Sequence, residues 1–177
     1  CTDVDSGDTM AYTISGGPST ITISSGTISG TPLNADVGTH TITVTCTDGS
    51  SATATDSYDL TVTNTNDAPT VASAIADAST AEDAVYSLDI SSVFADVDVG
   101  DTLSYSISGA PSAITHSAGT ISGTPVNGDV STHTIVVTAT DGTASVTDSY
   151  DLTVTNTNDA PTVASANADA STAEIGR

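Results

Sequence analysis

Asp96 and Asp98 stand two residues apart in the stretch Phe94-Ala95-Asp96-Val97-Asp98-Val99-Gly100-Asp101. In an extended or turning segment such carboxylates point the same way and repel each other, so the pair favours a cation once more oxygens are brought to it. Three further groupings share that character. Asp141 ends a predicted strand in Ala139-Thr140-Asp141-Gly142, Glu82-Asp83 lies just past the first predicted strand, and Asn64, Asn66 and Asp67 sit in Asn64-Thr65-Asn66-Asp67-Ala68-Pro69. The last stretch returns unchanged as Asn156-Thr157-Asn158-Asp159-Ala160-Pro161. Carbonyl and carboxylate oxygens in a short extended segment are what a hard cation such as Ca²⁺ selects. Asp-x-Asp and Asp-Gly are also ordinary turn formers, and that reading stands beside the first.

Covalent or acid–base chemistry finds less support. His40 and His133 occupy equivalent positions at predicted strand starts, His116 has Ile23 at its equivalent, and no His, Cys and Glu fall at zinc spacing. All three histidines read as surface or strand-edge residues. Nothing pairs a nucleophile with a base and an oxyanion hole, so no catalytic residue is assigned and the chain reads as a non-enzyme. Lysine is absent, which also excludes Lys–Asn isopeptide cross-links.

The charge balance narrows the partners. Against 22 acids stands one base, Arg177, for a net charge of −21. Such a chain repels phosphate backbones and anionic headgroups, so neither nucleic acid nor membrane insertion is expected. No apolar run approaches the roughly 20 residues of a membrane span. Aromatics make up 3 % with no Trp, which disfavours a glycan-binding platform. Without Lys or internal Arg, the acids are offset by divalent cations, by salt or by mere spacing, or they serve only to keep a surface protein soluble.

What must position these residues is a repeat. Asp3-Val4-Asp5 recurs as Asp96-Val97-Asp98, and Gly30-Thr31-Pro32 as Gly123-Thr124-Pro125. The offset shortens by one residue between Asp48-Gly49 and Asp56, where a hairpin loop tolerates insertion. Within the complete copy, period-two alternation predicts about seven strands, over 70–74, 84–90, 102–108, 113–115, 119–122, 132–140 and 148–155. Tyr86, Leu88, Ile90, Leu103, Tyr105, Ile107, Ile114, Ile121, Ile135, Val137, Ala139, Tyr150, Leu152 and Val154 take the inward parity. Helical periodicity is missing, and Gly, Pro, Asn and Asp punctuate the strands. The fold class is all-β: tandem antiparallel Greek-key β-sandwiches.

The expected domains are residues 1–66 as a first repeat lacking its first strands, 67–158 as a complete repeat, and 159–177 as the first strand of a third. An open sandwich exposes edges. Either the chain is a piece of a longer array, or its tail is donated head-to-tail to another copy, giving a filament.

Asp-x-Asp-x-Gly, then Leu-Ser-Tyr-Ser-Ile, Ala-Gly-Thr-Ile-Ser-Gly-Thr-Pro, Val-Thr-Ala-Thr-Asp-Gly and Asn-x-Asn-Asp-Ala-Pro in this order resemble the cadherin-like repeats of large bacterial surface proteins. These are related to dystroglycan-type cadherin and putative Ig-like repeats. The resemblance implies Ca²⁺ between successive domains. Asn64, Asn66 and Asp67 would then ligate together with Asp96, Asp98 and Asp141. Glu82 would join Asn156, Asn158 and Asp159 at the next joint, and Asp3, Asp5 and Asp48 would form half a site. The acidic mid-domain motif of cadherins has no clear match in Gly-Thr-Pro-Val-Asn-Gly-Asp, so one or two ions per joint are expected. If Asp3 and Asp48 converge on one ion, Cys1 and Cys46, each two residues ahead of one of them, come within bonding reach; a disulfide is expected, with two small buried thiols as the alternative. The implied protein is an extracellular, cell-surface stalk, structural or adhesive. Its partners are neighbouring repeats or copies of itself, and a cell-surface or matrix ligand at a tip elsewhere in the parent protein.

Overall fold

Thr, Val and Ile carry branched side chains that sit with little strain on a pleated surface, and where they alternate with Ser and Asp this chain extends. The computed structural model describes residues 1–5, 7, 9–165 and 171–174. Two groups of strands follow one another along the chain, and among the described residues strands pair only within their own group.

The first group comprises β1 (Ala11–Ser15), β2 (Thr22–Ser24), β3 (Thr27–Ser29), β4 (Gly38–Thr47) and β5 (Thr53–Val62). β1, β4 and β5 form an antiparallel sheet in that order, and β2 and β3 form a hairpin. The second group comprises β6 (Thr70–Val71), β7 (Ala78–Ala81), β8 (Tyr86–Asp89), β9 (Phe94–Ala95), β10 (Ser104–Ser108), β11 (Ile114–Ser117), β12 (Thr120–Gly123), β13 (Thr132–Thr140) and β14 (Ser145–Thr155). Here β10, β13, β14 and β7 make one sheet, β11, β12 and β8 another, and β6 pairs with β9.

The inner faces of these sheets meet over Tyr86, Ile90, Phe94, Ile114, Ile121, Ile135, Val137, Ala139, Tyr150 and Leu152, all buried. Each large side chain among them stabilises the sandwich by roughly 1.5–3 kcal/mol through removal of apolar surface from water. Leu88, Leu103, Tyr105 and Ile107, expected inside, line the margin of that core and are half-buried. The turn after β10 needs a particular residue: Gly109 has φ +79°, and a Cβ there would run into the Thr134 carbonyl. Gly16 repeats this after β1, against the Thr41 carbonyl.

Three features depart from the sequence reading. The expected strand at 70–74 extends only over Thr70 and Val71, where it pairs with β9; the chain then leaves that sheet and joins the edge of β14 as β7, a strand not expected from the sequence. β7 reads Ala-Ser-Thr-Ala, too small and polar to show alternation. It runs parallel to β14, in register from Leu152 opposite Ala78 to Thr155 opposite Ala81, so the sandwich is not wholly antiparallel. His40, His116 and His133, read as surface or strand-edge residues, are half-buried, and His40 and His133 each place Nε2 2.7 Å from a backbone carbonyl, that of Asp36 or Asp129.

Candidate metal centre

The acidic loop is held from both ends. β9 leads into it, anchored by β6 across Thr70–Ala95 and Val71–Phe94, with the Phe94 ring buried in the core. The Asp98 N–H then donates to Asp96 Oδ1 at 2.9 Å, which turns the backbone. Gly100, at φ +100°, lets the loop reverse towards Asp101. As a result one carboxylate oxygen each from Asp96, Asp98 and Asp101 lie within 4.8 Å of one another.

The connector comes to the same place. Asp67 N–H donates to Asp98 Oδ2 at 2.7 Å, and Asn66 Nδ2 donates to Asp141 Oδ2 at 3.1 Å. Asp141 sits at the end of β13, where its Oδ1 accepts from Thr143 N–H at 2.6 Å and Ala144 N–H at 2.7 Å. Those backbone donors, led by Ala144, hold the Asp141 carboxyl below the usual carboxylate range, with Asn66 helping. Asp101 is shifted the other way. Loss of hydration, then the negative charges of Asp98, Asp96 and Asp141, push it up. Asn66, Asp67, Asp96, Asp98 and Asp141 are thus brought together, whereas Asn64 is exposed and joins no hydrogen bond to them among the described residues.

Two oxygens of this cluster are buried without a partner, Asp98 Oδ1 and Asp96 Oδ2, and Asp98 is only 5 % exposed. A buried ionised oxygen left unpaired costs several kcal/mol, so native chains supply a donor or a cation. This chain has no lysine and a single arginine, at its last position. The donors are hard oxygens alone, with no imidazole or thiolate among them, which fits Ca²⁺ better than a transition metal.

The second connector repeats part of this arrangement. Glu82 is 2 % exposed; its Oε1 accepts from Thr157 N–H at 2.7 Å and its Oε2 has no partner. Asn158 Nδ2 donates to the Asp159 carbonyl at 3.2 Å, and Asn156 is exposed. At the other end of the chain, Asp3 Oδ1 accepts from Asp5 N–H as Asp96 does from Asp98. Asp48 Oδ1 accepts from Ser50 and Ala52 as Asp141 does from Thr143 and Ala144. Asp3 and Asp48 line one cleft beside a disulfide that joins Cys1 to Cys46, whose Cα atoms are 6.6 Å apart.

Sequence reasoning missed Asp101, Asn34 and Asn127. Asp101 follows the Asp-x-Asp-x-Gly turn directly, so the reversal at Gly100 was the available signal. Asn34 Nδ2 donates to Asp67 Oδ2 at 2.8 Å and Asn127 Nδ2 to Asp159 Oδ2 at 3.1 Å. Their shared place in Gly-Thr-Pro-x-Asn-x-Asp was visible, but not its reach to the connector.

The family described as putative Ig domain matches residues 1–63 and 68–155. No curated protein matches the sequence. Among solved structures, human mucin-like protocadherin EC1-2 is similar at 15 % identity and a TM-score of 0.60, over 84 % of this chain and 85 % of that one. Drosophila N-cadherin EC1-4 is similar at 17 % identity and a TM-score of 0.53, over 83 % and 41 %. An endo-fucoidan hydrolase of glycoside hydrolase family 107 shares 23 % identity at a TM-score of 0.45, over 86 % of this chain; the chain spans only 24 % of that enzyme's length. The two cadherin likenesses concern the fold, a cadherin-like and Ig-like β-sandwich.

Proposed function

The chain belongs to the putative Ig domain family, and from that premise we propose that it is a structural or adhesive segment of an extracellular, cell-surface protein, stiffened by calcium where its repeats join. The repeats are residues 1–66 and 67–158, with 159–177 opening a third. The observation that carries the calcium reading is the pair of buried oxygens on Asp96 and Asp98, unpartnered among the described residues, in a chain without lysine whose single arginine is its last residue.

Asp96, Asp98, Asp101 and Asp141 would hold the ion with Asn66 and Asp67, and Asn64 belongs with them by its place in the connector. Glu82 would serve the next joint with Asn156, Asn158 and Asp159, while Asp3, Asp5 and Asp48 would serve the joint before the first repeat. Bound there, calcium supplies positive charge to carboxylates that otherwise repel one another. The residues themselves fix the connector's path: Asp98 holds the Asp67 N–H and Asp141 holds the Asn66 amide. The Cys1–Cys46 disulfide supports an oxidising, extracellular compartment.

Calorimetry of the chain with calcium and with EGTA tests this. At about 100 times Kd, linkage adds roughly 2.7 kcal/mol, a rise of several degrees in Tm for domains of this size. A shift below about two degrees would remove calcium from the account.

A second reading has its own observation. β14 takes β7 along its edge, whereas β5, whose Leu60–Val62 repeats Leu152–Val154, has no strand on that edge among the described residues. Tyr58 is accordingly 43 % exposed where Tyr150 is 2 %. Ser171-Thr172-Ala173-Glu174 repeats Ser79-Thr80-Ala81-Glu82, so the tail of one copy carries the strand that the edge of another would accept, making a head-to-tail filament. Light scattering of the chain with and without residues 168–177 checks this; equal mass at all concentrations would exclude it.

A further inference from the structure

We propose that Asn34 and Asn127 are positioning residues that seat the connector aspartates, Asp67 and Asp159, on the repeat that precedes them. The joint then takes its geometry from the protein before any cation binds. Each Asn begins a 3-10 turn, Asn34–Asp36 or Asn127–Asp129. Both turns are braced the same way. The Asp36 carboxylate accepts from Leu33 N–H at 2.8 Å, and the Asp129 carboxylate from Val126 N–H at 2.9 Å. On the far side of each turn a histidine Nε2 lies 2.7 Å from the backbone carbonyl of the same aspartate. A turn of three residues is weak alone; tied at both ends, it presents the Asn side chain in a fixed place.

The residue type matters. Asp67 and Asp159 bring carboxylates, and an acid at position 34 or 127 would meet each of them with like charge. An amide donates a hydrogen bond without adding charge, the available solution in a chain without lysine. At the first connector the seat continues across the joint: Asn34 Nδ2 holds Asp67 Oδ2, and Asp67 N–H reaches Asp98 in the following repeat. At the second connector the Asn127–Asp159 bond is present although, among the described residues, no acidic loop stands beyond it. The preceding repeat is therefore sufficient to seat the aspartate. Asn34 is half-buried and Asn127 exposed.

This inference goes beyond the calcium reading and stands without it, so its test is made in EGTA. In the full chain, amide hydrogen exchange at Asp67 is compared by NMR with that at Ile135 in the core, for wild type, Asn34→Ala and Asn34→Asp. The seat predicts exchange at Asp67 faster by about fivefold in Asn34→Ala, the worth of one hydrogen bond near 1 kcal/mol, and faster still in Asn34→Asp, with Ile135 unchanged. Residual dipolar couplings should fit one shared alignment of the two repeats in wild type and two separate ones in both variants. Exchange at Asp67 within about twofold of wild type in both variants, or a shared alignment retained in Asn34→Asp, would overturn the proposal. A calcium titration of wild type reports separately on the metal: no thermal shift there, with the exchange difference intact, removes calcium and leaves the seat.

Discussion

Asp67 N–H lies 2.7 Å from Asp98 Oδ2, a backbone donor of the connector held by a carboxylate of the following repeat. The other oxygen of that carboxylate is buried and unpartnered. One side chain thus divides its two oxygens between a structural bond and an open ligand position.

Asp98→Asn separates those roles. The amide oxygen can still accept from Asp67, while the buried charge disappears. Without metal the variant should melt no lower than wild type, and its calcium-induced rise in Tm should be largely lost. Asp98→Ala should instead be less stable than Asp98→Asn in EGTA by about 0.5–1.5 kcal/mol, since the Asp67 N–H then loses its side-chain acceptor. Differential scanning calorimetry with EGTA and with calcium separates the two variants. A full calcium shift in Asp98→Asn would count against Asp98 as a ligand.

Glu82 poses the same question at the second connector, in a more buried setting. Its Oε1 accepts from Thr157 N–H, and its Oε2 has no partner. Glu82→Gln keeps an acceptor for Thr157 and removes a charge that no lysine can offset. In EGTA the variant should be more stable by about 1 kcal/mol or more, because burying an unpaired charge is costly. Chemical denaturation followed by circular dichroism measures this; a clear loss of stability would mean that the carboxylate has a partner.

How much of this was legible in the chain depended on side-chain size. β13 and β14 carry Ile135, Val137, Tyr150 and Leu152 at every second position, so their faces and pairing followed from alternation. β7 carries Ala, Ser and Thr, and its pairing with β14 is fixed by main-chain bonds that leave no mark on the pattern. The site divided in the same way. Asp96, Asp98 and Asp141 stood out as charged residues at turns. Asn34 is a neutral residue in a loop, and only the path of the connector brings Asp67 within 2.8 Å of it.

The disulfide between Cys1 and Cys46 closes a separation of 45 residues in the first repeat and has no counterpart in the second. By the loop-entropy argument its loss should cost up to about 4 kcal/mol. Cys1→Ser with Cys46→Ser should therefore lower the transition of the first repeat and leave that of the second in place. Two resolved thermal transitions, only one of which moves, would be the signature; equal movement of both would show that the repeats unfold as one unit.

Tyr150 gives the chain a sensitivity to alkaline pH. Its phenol oxygen lies 3.1 Å from that of Tyr86, and the pair is buried in the core of the second repeat. Burial first, then the hydrogen bond and charge of Tyr86, push the Tyr150 hydroxyl well above its ordinary range. The folded state therefore keeps a proton that the unfolded chain releases near pH 10, by about one proton per molecule. The resulting stability is fully present below that pH and is lost progressively as pH rises above it. An absorbance titration of tyrosinate should show Tyr150 staying neutral until the second repeat unfolds. Tyr150→Phe, which cannot ionise, should flatten the fall in denaturation midpoint above about pH 10. An equally steep fall in that variant would place the alkaline sensitivity elsewhere in the chain.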